Sequence, residues 1–216
     1  MLVKDIMTKP VMTTPSNTTI GEAKKLMKEH KYNRLPVVDD GKLVGLVTRG
    51  RVEQYLPQSP APQLWKVNHL IQQTALEEIM ERNVVTVSPG TLVEQAVFLA
   101  QSRRVGALIV VENQKVVGIA TTNDFFYKVV NPILGIGMKG IRITVSPAYD
   151  NKHIASIVNV IAGSDIIINA LWIINTETDR KEIVVHLDTD DATGIIKELE
   201  DAGFTAVIRP HLLIGT

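Results

Sequence analysis

One long stretch of this sequence occurs twice, and that repeat constrains the fold more than any other feature. Slid forward until Met7 meets Met80, the segment from Met7 to Arg51 lies on Met80 to Asp124 without a gap. Val11 falls on Val84, Thr18 on Thr91, Ala23 on Ala96, Leu26 on Leu99 and Lys42 on Lys115. The end matches best: Val44-Gly45-Leu46-Val47-Thr48 falls on Val117-Gly118-Ile119-Ala120-Thr121. A long repeat in two copies implies two similar units packed about an approximate twofold, and so two equivalent clefts. The clefts are not chemically equal, because the last matched position is Arg51 in one copy and Asp124 in the other.

Composition narrows the function classes. The 216 residues, 45% hydrophobic and 21% charged, suit a soluble chain with a sizeable core in one large or two small domains. Lys plus Arg and Asp plus Glu are 23 each, so neither nucleic acid nor an anionic membrane is the expected partner. With no cysteine, disulfides, thiolate catalysis and zinc–thiolate sites are excluded. No apolar run reaches the roughly 18 residues of a membrane span. The opening Met-Leu-Val-Lys-Asp-Ile-Met lacks a signal-peptide core, so a cytoplasmic location is expected. His30, His69, His153, His186 and His211 show no metal-ligand spacing, and no catalytic triad, carboxylate pair or G-x-x-x-x-G-K loop appears. The chain therefore reads as a non-enzyme without a metal.

In order, Val3 to Met7 predicts a short helix, and Val11 to Thr14 a strand between Pro10 and Pro15. Thr19 and Glu22 form a capping box before a helix with Ile20, Ala23, Met27 and His30 on one face. Arg34 to Val38 and Leu43 to Val47 form a hairpin turning at Asp39-Asp40-Gly41-Lys42, and Thr48 opens a helix to about Tyr55. A connector rich in proline, 57–73, follows, with a surface helix over Leu64 to Ile71 anchored by Trp65. The second copy repeats the plan: a strand over Val84 to Val87, a Thr91/Glu94 capping box, and an apolar face of Val93, Ala96, Val97 and Ala100. A hairpin of Ala107 to Val111 and Val116 to Ala120 leads to a helix from Thr121 to about Val130, ended by Asn131-Pro132.

Gly135-Ile136-Gly137-Met138-Lys139-Gly140 spells the G-x-G-x-x-G string. A dinucleotide site needs a strand before the string and a helix after it. Here the order is reversed, so 133–140 reads as an interdomain hinge. Beyond it, Ile141 to Val145 is a strand and Ile154, Ile157, Val158 and Ile161 mark a helix stopped by Gly163. A strand over Ile166 to Ile174, a turn over Asn175 to Asp179, and a strand over Glu182 to Leu187 follow. Asp190-Asp191 start a helix with core residues Ala192, Ile195, Ile196 and Leu199, ended by Gly203, and Phe204 to Ile208 closes the chain. The order is βαββαβ, the split-βαβ or ferredoxin-like plan.

The repeat resembles the CBS domain, two of which make a Bateman module. The resemblance rests on Leu35-Pro36-Val37-Val38-Asp39, Gly45-Leu46-Val47-Thr48 and Gly118-Ile119-Ala120-Thr121-Thr122-Asn123-Asp124. The C-terminal part resembles an ACT domain by element order, and the CBS–CBS–ACT arrangement is similar to the acetoin-utilisation B-type proteins. The implied fold class is α+β: tandem CBS repeats with approximate twofold symmetry plus a βαββαβ ferredoxin-like ACT domain. The expected domains are a CBS pair over 1–132 (copies about 1–56 and 74–132), the hinge, and the ACT-like domain over 141–216.

An ionised Asp124 accepts from both hydroxyls of a ribose. Thr121 and the free N–H groups of the helix start face the same spot, where anions are also welcome. Locally the pattern is equally that of an ordinary helix start. The resemblance makes it a nucleotide signature, with Thr122 and Asn123 beside it. It also implies an adenine slot, assigned here to Val84, Val85 and Thr86 with Gly106, Ala107 and Leu108. Arg51 is donor-only and cannot accept from a diol. It either reaches a phosphate or pairs with a surface acid or solvent. The ACT resemblance implies a glycine at the first helix start, but Ser146 to His153 has none, which argues against amino-acid binding. The strand carrying Trp172 is expected either to pair across subunits or to fill its own core. The resemblance thus implies a regulatory sensor of AMP, ADP, ATP or another adenosyl compound, as a homodimer that regulates a partner enzyme. The alternative is a ligand-free interaction module.

Overall fold

The computed structural model describes residues 1–55, 72–175 and 181–210. The chain divides into two compact units, Met1–Phe125 and Phe126–Thr216. Residues 57–71 of the proline-rich connector, with the helix expected around Trp65, most of the Asn175 to Asp179 turn, His69 and His211 lie outside the described residues.

In the first unit, copy one comprises α1 (Val3–Ile6), α2 (Ile20–Glu29), β1 (Arg34–Asp39), β2 (Lys42–Thr48) and α3 (Arg49–Gln54). Copy two comprises a 3₁₀ turn (Leu76–Glu78), β3 (Thr86–Val87), α4 (Val93–Ser102), β4 (Ala107–Glu112), β5 (Lys115–Thr121) and α5 (Thr122–Phe125). Both hairpins are antiparallel and shift register at equivalent points, Val37/Val38 and Val110/Val111. Their turns use positive φ at Asp40 and Gly41, and at Asn113 and Gln114, as a two-residue turn matched to strand twist requires.

The repeats interlock through their leading segments. Val3 donates to the Thr91 carbonyl at 2.9 Å and Thr8 to Ile119 at 2.8 Å, so the leader of copy one lies on copy two. Reciprocally, Leu76 donates to Thr18 at 2.8 Å and Glu81 to Leu46 at 2.9 Å. Leu76, Ile79 and Met80 belong to the core of copy one, with Ile20, Ala23, Met27, Leu35 and Val37. Val3 belongs to that of copy two, with Val87, Ala96, Leu108, Val110 and Ala120. The glycine of each best-matched string makes room for this exchange. A Cβ on Gly118 would lie 2.5 Å from Met7 Sδ, and one on Gly45 would collide with Met80. Neither copy completes its core alone.

Several expectations need correction. The strand over Val11 to Thr14 shrinks to one parallel bridge, Thr14 to Val37, because Pro10 and Pro15 remove donors on both sides. The second copy keeps only β3 there, with the Val85 carbonyl accepting from Ile109 at 3.1 Å. The Thr19/Glu22 box forms, but the Thr91/Glu94 box does not. The second helix starts at Val93 behind Leu92, and Thr91 Oγ1 instead accepts from Ser88 N–H at 3.1 Å. The Val93 N–H is met by the Met1 carbonyl at 3.2 Å, so the exchanged leader replaces a side-chain cap. His30 leaves the core face: it is the C-cap of α2, exposed and stacked on Tyr32 with centroids 5.7 Å apart.

The second unit contains a π-helical turn (Phe126–Val130), α6 (Asn131–Ile133), β6 (Ile141–Ser146), α7 (Asn151–Ala162), β7 (Ile168–Asn175), β8 (Lys181–Leu187), α8 (Thr193–Asp201) and β9 (Thr205–Arg209). Pro132 does not stop the helical run; it lies in the first turn of α6, where its missing N–H costs nothing. The four strands are ordered β7-β8-β6-β9, every neighbour antiparallel. Ile157, Ile161, Ile195 and Leu199 of the two helices pack on Ile143, Val145, Ile183 and Val185. Asp190 and Asp191 precede α8 rather than open it. Asp191 Oδ1 accepts from the Thr193 N–H at 2.9 Å; hydrogen bonding by the Thr193 side chain first, and by its N–H second, holds the Asp191 carboxyl below the usual range.

The glycine string packs within this unit. Gly135, Gly137 and Gly140 all take positive φ. Gly135 and Gly140 lie against the fully buried His186, whose Nε2 is 2.9 Å from the Lys139 carbonyl. The motif therefore wraps a core histidine. A Cβ on Gly140 would strike the Leu187 carbonyl. Gly140→Ala is expected to destabilise the second unit by about 1–3 kcal/mol, read as a lower denaturant midpoint. An unchanged midpoint would reject this account of the string.

Candidate functional site

Two clefts in the first unit occupy equivalent places in the repeat. One, of about 310 Å³, is lined by Thr8, Pro10, Val11, Met12, Lys31 to Arg34, Ile119 and Thr121 to Asn123. The other, of about 430 Å³, is lined among others by Arg34, Thr48, Arg51, Met80, Glu81, Val84, Val85, Gly106 and Ala107. Both lie within the size range of small-molecule sites. Each joins the closing string of one copy to the leader and first extended segment of the other. That crossing follows from the leader exchange.

Asp124 lies beneath the first cleft, 6% exposed. Thr121 donates to its Oδ2 twice, from the backbone N–H at 2.8 Å and the hydroxyl at 2.6 Å. The Thr8 hydroxyl donates to Oδ1 at 2.9 Å. The carboxylate is thus already met by protein donors, two of them hydroxyls that line the cleft. Hydroxyls rotate, so ribose O–H groups can take their place at little net cost in hydrogen bonds. Thr122 donates through both its N–H and its hydroxyl to the Gly106 carbonyl, each at 3.2 Å, and Asn123 is exposed at the rim.

The proposed adenine slot is not in this cleft. Val84, Val85, Gly106 and Ala107 line the other one, beside Arg51. Leu108 is fully buried and belongs to the core of copy two, so it meets no ligand. Thr86 is exposed and lines a separate groove with Lys42 and Arg82. The physical reason is the crossing: the surface facing Asp124 comes from the equivalent positions of copy one. Val11, Met12, Asn33 and Arg34 stand there, with Tyr32 supplying an aromatic face. These residues, with Thr8, were missed. For Val11, Met12, Tyr32, Asn33 and Arg34 the repeat itself carried the signal, since each lies at the matched position of a named residue or beside one; Thr8, matched to Glu81, had no such signal.

Arg51 occupies Asp124's place in the second cleft. Its Nε donates to the Ile79 carbonyl and one Nη to Gln54 Oε1, both at 3.2 Å, and the guanidinium lies 5.8 Å from the Tyr55 ring centroid. Thr8, the donor to Asp124, is replaced there by Glu81. A hydroxyl–acid pair in one cleft thus becomes an acid and a base in the other. Among the described residues, no group of histidines and acids is arranged to hold a metal, and no helix is long and apolar enough to cross a membrane.

The CBS domain family matches residues 3–57 and 76–131. L-aspartate semialdehyde sulfurtransferase of Methanocaldococcus jannaschii is 37% identical over 125 residues, 57% of this chain but only 22% of that protein. The CBS domain-containing protein YhcV of Bacillus subtilis is 31% identical over 122 residues, 56% of this chain and 81% of that protein. Among solved structures, a Vibrio cholerae protein named for acetoin utilization (AcuB) is 28% identical, with a TM-score of 0.51. The match covers 61% of this chain and 91% of that one.

Proposed function

The chain belongs to the CBS-domain family, and from that premise we propose that it is a regulatory sensor without catalytic activity of its own. An adenosyl ligand (AMP, ADP, ATP or a related compound) binds the cleft above Asp124. The observation that carries this reading is a buried carboxylate held by two hydroxyls that line a cleft with aromatic and apolar walls. The ribose diol exchanges with those hydroxyls, and adenine lies against Val11, Met12 and Tyr32. Arg51 offers its remaining N–H groups to phosphate in the neighbouring cleft. Binding shifts the start of α5, which runs to the boundary at Phe125. From there the signal passes through the glycine segment 133–140 to the second unit, with a typical coupling of roughly 1–3 kcal/mol.

The βαββαβ order and antiparallel sheet of the second unit support an ACT-like, ferredoxin-like domain, and with it the similarity to acetoin-utilisation B-type proteins. An amino-acid ligand is not proposed there. Asp150 Oδ1 already accepts from the N–H groups of Lys152 and His153 at the start of α7, each at 3.0 Å. Leu171, Ile173 and Ile174 are exposed on the edge strand β7, which suits a homodimer or a regulated partner enzyme.

One observation favours the alternative, a ligand-free interaction module: the protein itself already satisfies Asp124. Thermal unfolding with AMP, ADP, ATP, NAD and S-adenosylmethionine separates the two. At about a hundredfold excess over the dissociation constant, a true ligand adds about 2.7 kcal/mol of stability. No shift with any of them would leave the interaction module standing.

A further inference from the structure

A groove of about 490 Å³ lies beside α2 and α3 of copy one, over a floor of Met27 and Val52. Four cations line it: Lys24 and Lys28 from α2, Lys31 just past the end of that helix, and Arg49 at the start of α3. Among the described residues, Glu53 is the one acid that joins them. Arg49 is pinned by the Met27 and Tyr32 carbonyls, 3.3 and 3.1 Å away. The three lysines are exposed, and none has an acid partner among the described residues. Lys25, on the same helix but outside the groove, pairs with Glu29 at 3.9 Å. The connector over 57–73 contains no Asp or Glu that could answer these charges.

The fold does not ask for this charge. The matched positions in copy two are Val97, Gln101, Arg104 and Thr122, so three of the four cations belong to copy one alone. Like charges four residues apart, as at Lys24 and Lys28, repel along a helix. A cluster that local stability disfavours points to a use outside the fold. Lys24, Lys28 and Lys31 follow the i, i+4, i+7 spacing of one helix face. Carboxylates spaced the same way on a second helix meet them in register, and lysine's flexible stem takes a carboxylate at varied angles. An identical face is a poor occupant, because it sets cations against cations. A nucleic-acid strand is also disfavoured: no aromatic lines the groove for a base to stack on.

We propose that this face of copy one is a docking surface for an acidic helix of a partner protein. The proposal stands on the groove alone and not on a ligand in the Asp124 cleft. Lys31 also lines that cleft, so the test leaves it in place. The probe is a labelled alanine-rich helical peptide of about 20 residues, with glutamates at i, i+4 and i+7, read by fluorescence anisotropy with the full chain. The wild type is expected to bind it, more weakly as salt rises, and to ignore the same peptide with glutamine for glutamate. Lys24→Gln with Lys28→Gln should weaken binding by roughly three- to thirtyfold. The charge-matched pair Lys4→Gln with Lys25→Gln should hold it within about twofold. Lys24→Glu with Lys28→Glu should reverse the preference, binding a lysine peptide of the same spacing. Both residues are exposed, so the thermal midpoint should not move. No binding by the wild type, or equal losses in the two glutamine pairs, overturns the proposal. Equally tight binding of a single-stranded DNA of about 20 nucleotides, or of phosphatidylserine vesicles, lost in the same pair, also overturns it. So does a wild-type dimer that dissociates in Lys24→Gln with Lys28→Gln, which would give the face to a second copy.

Discussion

Replacing Asp124 by alanine is expected to weaken adenosine binding by roughly ten- to a hundredfold, the value of charge-assisted hydrogen bonds to a diol. Arg51→Ala should change it far less, since a donor-only group has no role toward the ribose. The asymmetry is the test, because the two residues occupy the same place in the repeat. Asp124→Ala also strips the acceptor from the Thr8 hydroxyl and from both donors of Thr121. Stability should therefore fall by about 1–3 kcal/mol, and binding must be measured where the variant is still folded. Asp124→Asn supplies the control: it keeps the shape and one acceptor oxygen, but places an N–H₂ where the second hydroxyl must donate. It should lose most of the affinity with less of the stability. Equal losses at positions 51 and 124, or none at either, would reject the cleft above Asp124 as the ligand site.

Leu76→Ala is expected to cost roughly 3–5 kcal/mol, among the largest single-residue effects in the first unit. Leu76 is completely buried, and its neighbours are the α2 and β1 residues of the other copy, Ile20, Ala23, Met27 and Leu35. A side chain that belongs to copy two by sequence thus holds the core of copy one. Hydrogen exchange should show protection lost across Ile20 to Glu29 and Arg34 to Asp39, and unfolding should remain a single transition. If the copies were self-contained, copy one would keep its protection when Leu76 is cut back. That result would overturn the exchange of leaders. Because this exchange also builds the clefts, Leu76→Ala should weaken ligand binding without touching a ligand.

Much of the fold was legible from local chemistry. Asp40-Gly41 could only be a turn, because the backbone there needs positive φ; Thr19 and Glu22 satisfy each other's free N–H groups. The strands expected over Ile141 to Val145 and Glu182 to Leu187 form, with Ile143, Val145, Ile183 and Val185 facing the core. Where local chemistry misled, a distant segment had supplied the missing partner. Leu92 caps α4 without a polar side chain because the Met1 carbonyl meets the Val93 N–H. Nothing in the residues of the glycine string reveals that it bends around His186.

The sequence by itself determined that the two copies have equivalent clefts, that Asp124 and Arg51 make them unlike, and some of the positions of the repeat that line a cleft. Those facts follow from residue identity and spacing, which the repeat displays twice. Only the tertiary structure decided which copy supplies which wall. A repeat pairs equivalent positions without saying whether each copy closes on itself or on its neighbour. The choice is made where Leu76, Ile79 and Val3 bury their side chains in the opposite copy and Met7 and Met80 close over Gly118 and Gly45. Hydrophobic burial between segments far apart in the chain is non-directional and leaves no local signature. That burial brings Thr8, Tyr32 and Arg34, rather than Val84 and Ala107, to the cleft that Asp124 underlies.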